Sequence, residues 1–121
     1  MIRAFLVFLV TISLAPPAAA DDTLFRASMV AVIAAHGADL ASTEFCIGAG
    51  RCREMNGWLA RFNEPATFGA VKMGVAGASL WFTAKLRDAL PDGRKWIATV
   101  VNVGMAGTFT AIAVHNTRVA R

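Results

Sequence analysis

From Ile97 to Val114 the chain runs without one charged side chain. Neither that stretch nor Val71 to Phe82 carries the polar stripe that would turn one face of a helix to water. This excludes an ordinary soluble three-helix bundle. The apolar residues fall into four blocks, Ala4 to Ala20, Leu24 to Ile47, Ala66 to Ala84 and Trp96 to Val114, separated by short charged stretches. Each of the last three is about the 20 residues that cross a hydrocarbon core of roughly 30 Å at about 1.5 Å per residue. Across 121 residues, 56% are hydrophobic and 17% charged, and the mean hydropathy is +0.53, too apolar for a water-soluble domain of this size. The expected fold is therefore all-α, a small transmembrane helical bundle, multi-pass in a bacterial inner membrane.

The first block differs from the others. Arg3, the apolar run Ala4 to Leu14 and the proline-broken, small-residue end Ala15 to Ala20 have the layout of a secretory signal peptide cleaved before Asp21. Cleavage leaves a membrane domain over 21–121 with three spans near 24–47, 66–84 and 96–114; without it, residues 1–20 form a fourth helix. Both readings send Asp21 across the membrane. Arg51, Arg53, Arg61, Arg118 and Arg121 then lie on the cytoplasmic side, as the positive-inside tendency asks, while Lys85, Arg87, Arg94 and Lys95 on the opposite side weaken it. Asp21-Asp22-Thr23 and Asn63-Glu64-Pro65 supply helix starts, and Pro91-Asp92-Gly93 a turn.

The first span is interrupted by Asp39-Leu40-Ala41-Ser42-Thr43. On a helix, His36, Asp39, Thr43 and Cys46 share a face, with Ser42 on its flank. The second span carries one internal charge, Lys72, with Gly69, Ala76 and Ser79 around it. Counted from the loop that joins the two spans, Asp39 and Lys72 both lie roughly 11 to 12 Å below the same surface. They can meet. An unpaired charge at that depth costs roughly 2.5 to 3.5 kcal/mol, so an Asp39–Lys72 pair, with Thr43 on a carboxylate oxygen, is the cheapest arrangement. Such a pair is a latch between two helices; with His36 it is also the raw material of a proton, ion or small-ligand site.

The loop contributes Glu54 and Asn56, which either bond free backbone groups at its mouth or join the same polar cluster. Glycines 48 and 50 end the first helix, and Trp58, Leu59 and Phe62 with Arg53 and Arg61 read as an interfacial segment. The order Asp39-x-x-Ser42-Thr43, a glycine-containing break, Glu54-x-Asn56 and then Lys72 resembles a family of short, uncharacterised prokaryotic membrane proteins, a domain of unknown function with the pattern D-x-x-T-T, G-x-x-E-x-N-P and a following lysine. Gly57 stands where that pattern usually has proline. The resemblance covers roughly Leu24 to Leu86. It implies that Asp39, Thr43, Glu54, Asn56 and Lys72 act as a unit, and it carries no activity.

Cys46 and Cys52 lack the further ligands of a zinc set. A disulfide between them requires the first helix to end before Cys46 and the loop to face an oxidising compartment, so free thiols are expected. His36 and His115 differ in depth by roughly 10 Å, too much to share a haem. No metal, cofactor or catalytic group is expected, and the chain is not read as an enzyme. The net charge of +4 is spread over span ends, which points to anionic lipid headgroups and away from nucleic acid. Small residues on two faces place the second helix centrally, its Gly74 and Gly77 face toward Gly104, Gly107 and Ala111 of the third, with Asn102 and Thr110 pointing elsewhere. Two functions fit: a structural or accessory membrane subunit held by the Asp39–Lys72 latch, with self-association or another membrane protein as partner, or a small oligomeric transporter-like or channel-like protein.

Overall fold

A computed structural model of the chain describes residues 18–53, 57–61 and 65–121. Their only regular secondary structure is helical: α1 spans Ala18–Gly48, α2 Pro65–Ala89 and α3 Trp96–Val119, with single 3-10 turns at Leu59–Arg61 and Asp92–Arg94. Helices α1 and α3 are long and apolar enough to cross a membrane. The signal-peptide reading of residues 1–20 lies outside the described residues, except that Ala18 to Ala20 already form the first turn of α1. Asp21 is thus inside the helix and does not cap it. Pro65 opens α2 as its rigid φ favours, and Arg94 N–H closes the second turn on Pro91 O at 2.8 Å.

The buried line of α1 is Phe25, Ser28, Val32, Ala35, Asp39, Ser42 and Cys46. Steps of three and four alternate along it without a break, the spacing of a helix that keeps one seam against a partner. The partner is α3. Asn102 reaches Ser28 and Asn116 reaches Ser42, each across 74 residues of sequence, so α1 and α3 run parallel in a fixed register. Along either helix the two contacts are about 21 Å apart, and sliding one helix by a turn would break both. Ala98, Ala106 and Ala113 on the α3 side let the helices close up.

This corrects the expectation of a central second helix. The α1–α3 seam is the principal one, and α2 leans against both through Phe68, Ala76 and Thr83, with Leu80 partly buried in the core of Val32, Ala35 and Ala106. Glycines 74, 77, 104 and 107 are not at that interface, for a Cβ on any of them would meet nothing within 4 Å. Asn102, expected on an outer face, is fully buried because Ser28 offers its amide a partner.

The distribution of polarity is inverted relative to a soluble bundle. Ser28, His36, Asp39, Ser42, Thr43, Thr83 and Asn102 are buried, whereas Val30 (66%), Trp81 (65%), Phe45 (58%) and Phe82 (58%) are exposed. The buried apolar residues are mostly alanine, so the helices meet through small side chains and hydrogen bonds and turn their bulk outward.

The end of α1 is a Schellman cap. Gly50 takes φ +69°, its N–H bonds Ile47 O at 2.9 Å, and Arg51 N–H bonds Cys46 O at 3.2 Å. A Cβ costs roughly 1 to 2 kcal/mol in that conformation, whatever space surrounds it. Gly50→Ala should therefore lower the unfolding free energy by about 1 kcal/mol, read from thermal unfolding in detergent; no change would mean that the cap does not persist in solution.

Candidate functional site

Lys72 from α2 extends its ammonium to Asp39 of α1, with Nζ 2.9 Å from Oδ2. Asp39 and Lys72 side chains are 5% and 12% exposed, so this is a charge pair withdrawn from solvent. Thr43, one turn along α1, donates its hydroxyl to Asp39 Oδ1 at 3.4 Å and accepts from Lys72 Nζ at 3.3 Å and from Asn116 Nδ2 of α3 at 3.1 Å. A hydroxyl has one donor and two acceptor positions, and all three are used here. One oxygen thereby joins three helices. Ser42 beside it accepts from Asn116 Nδ2 at 3.4 Å and donates to Asp39 O at 3.0 Å. The Lys72 ammonium also lies 5.1 Å from the centre of the Phe68 ring.

His36 lies next to this cluster, 4% exposed, its ring centroid 3.8 Å from that of Phe109. Its Nε2 is buried and makes no hydrogen bond among the described residues. His115 is exposed and separate from it. Glu54 and Asn56 lie outside the described residues. The structure thus brings together His36, Asp39, Ser42, Thr43 and Lys72, and adds Asn116. Asn116 was missed because the apolar run stops at Val114, whereas α3 continues to Val119. Its spacing from Asn102, equal to that of Ser42 from Ser28, was the available signal.

A second polar layer closes the other end of the bundle. Arg87 of α2 pairs with Asp21, 3.2 Å away, and with Asp22, and its guanidinium lies 4.8 Å from the Phe25 ring centre. Burial acts to lower the Arg87 pKa, but hydrogen bonds and charge from Asp22 and Asp21 outweigh it and leave it above the ordinary value. Each end of α2 therefore offers a cation to a carboxylate of α1, each cation resting on a phenylalanine. Between the two layers Val32, Ala35, Ala106, Leu80, Met105 and Phe109 form an apolar plug.

Cys46 and Cys52 form a disulfide with Cα atoms 5.4 Å apart. The expectation of free thiols is corrected, as is its premise. The helix does not end before Cys46; the Schellman turn after it folds the chain back, and Cys52 N–H lies 3.4 Å from Cys46 O. The cap and the disulfide close the same turn, three residues beyond Thr43. Among the described residues no group of three His, Cys, Asp or Glu side chains is placed to hold a metal. No family model, curated protein or solved structure matches the chain.

Proposed function

We propose that this chain is a small multi-pass membrane protein that serves as a structural or accessory subunit, its three helices locked by an Asp39–Lys72 latch. The outward-facing bulk of Val30, Phe45, Trp81 and Phe82 supports the membrane setting, since in water that surface would drive aggregation. The observation that carries the latch reading is the saturated hydroxyl of Thr43, whose one donor and two acceptor positions are all spent on joining the three helices. The resemblance to the family of unknown function agrees, because Asp39, Thr43 and Lys72 are three of the five residues it groups. Affinity purification from mildly solubilised membranes tests the role. A stoichiometric partner protein is expected, lost together with the fold in latch variants; recovery of a pure homo-oligomer would overturn the accessory reading.

A proton or ion pathway is the second reading, favoured by the unpartnered Nε2 of buried His36 beside two charges. The apolar plug argues against it within one chain, since roughly 12 Å of helix separates Ser28 from His36 with no polar side chain on the α1 seam between them. His36→Phe keeps the stacking on Phe109 and removes both nitrogens. It should leave protein level and cellular phenotype unchanged under the latch reading; intact level with a lost phenotype would favour the pathway.

A further inference from the structure

We infer that the groove between α1 and α3 at the Cys52 end of the bundle binds an anionic phospholipid, with an acyl chain between the helices and the phosphate on Arg118 and Arg121. This rests on the membrane reading above. The groove has a volume of about 400 Å³, and Ala38, Ala113 and Val114 form much of its wall. It exists because alanines stand at 38 and 113, where a larger side chain would fill the seam. Two of its three hydroxyls are already engaged, Thr117 donating to Ala113 O at 2.8 Å and Ser42 held by Asp39 O and Asn116, and the third, Thr110, is exposed at the rim. What remains for an occupant is an alkyl channel opening sideways between the two helices long and apolar enough to cross a membrane.

The polar end of the groove has one sign. Arg118 and Arg121 both line it, both are exposed, and neither is ion-paired among the described residues. Arg118 lies in the last turn of α3, about 6 Å along the axis beyond Val114, and Arg121 follows the end of the helix, so both stand past the apolar stretch, where a headgroup follows a chain. Arg51, Arg53 and Arg61 belong to the segment that follows α1 at this same end of the bundle, and all five of these basic residues are arginine. Guanidinium forks match the oxygens of a phosphodiester and can hold it from two sides. A soluble phosphate or carboxylate would use the arginines and ignore the channel. A neutral lipid would use the channel and ignore the arginines.

The test is native mass spectrometry of the full-length chain released from micelles containing equal amounts of phosphatidylglycerol and phosphatidylcholine with identical acyl chains. The wild type should retain one phosphatidylglycerol at about thirtyfold preference, the scale of two cations at a lipid surface. Arg118→Gln with Arg121→Gln should bring the ratio near one while retaining some lipid. Ala38→Leu, which fills the channel and leaves both arginines, should remove most of the bound lipid of either kind. The inference is overturned if the wild type shows no preference, if the preference survives loss of both arginines, if Ala38→Leu binds as well as wild type, or if millimolar inorganic phosphate displaces the lipid completely. Circular dichroism and an intact disulfide verify the fold of each variant. The membrane reading fails separately, if the chain fractionates as a soluble protein without detergent.

Discussion

Asp39→Asn is expected to destabilise the bundle by about 3 kcal/mol, because it removes the carboxylate that meets the Lys72 ammonium at 2.9 Å in a site where the lysine side chain is only 12% exposed. The loss is that of breaking a buried charge pair from one side only, larger than the value of the pair itself. Against a total stability of about 5 to 15 kcal/mol, it should lower the protein level in membranes several-fold. Asp39→Asn combined with Lys72→Met removes both charges, keeps the hydroxyl of Thr43 bonded to Asn116, and should recover most of the lost level and thermal stability. Immunoblots of membranes and unfolding in detergent measure both. A double variant as depleted as the single one would sink the latch, since it would show that the site needs its charges for something other than each other.

How far this pair could be read from the sequence, and the rest of the bundle could not, has a physical basis. Asp39 and Lys72 flank one loop, so counting residues outward from it gives both depths on a common scale. No such reference ties α3 to α1. A glycine stripe marks where a helix can be approached closely but names no partner, and four candidate glycines of α2 and α3 face open space. The information lay in polar spacing: Ser28 to Ser42 equals Asn102 to Asn116, and two matched steps of that length define a parallel register. Cutting the third span at Val114 hid the second step. The N-terminal side failed for a related reason. Asp21 and Asp22 have the character of capping residues, yet they lie within α1 because Arg87, 66 and 65 residues away, gives them a partner. A tertiary ion pair overrode a local signal.

Loss of the disulfide, by Cys52→Ser or by reduction, is the other large effect expected, about 2 kcal/mol for so short a closed loop on chain-entropy grounds. Its consequences should be local. Cys46 is buried on the same seam as Asp39 and Ser42, and the turn it closes follows Thr43 by one helical turn. Releasing it should fray the end of α1 and accelerate amide exchange from Thr43 to Cys52, leaving Phe25 to Ala35 protected. The same bond bears on orientation. Arg51, Arg53, Arg61, Arg118 and Arg121 at this end are matched by Arg26, Lys85, Arg87, Arg94 and Lys95 at the other, so basic-residue bias does not choose between them. A disulfide persists in an oxidising compartment. We therefore propose that the Cys52 end faces outward and Asp21 the cytoplasm, opposite to what the signal-like start implies. In intact cells, a membrane-impermeant maleimide should label the chain only after treatment with an impermeant reductant. Labelling that appears only once the membrane is permeabilised, with no reductant present, would place free thiols in the cytoplasm and return the orientation to the one the N-terminal segment implies.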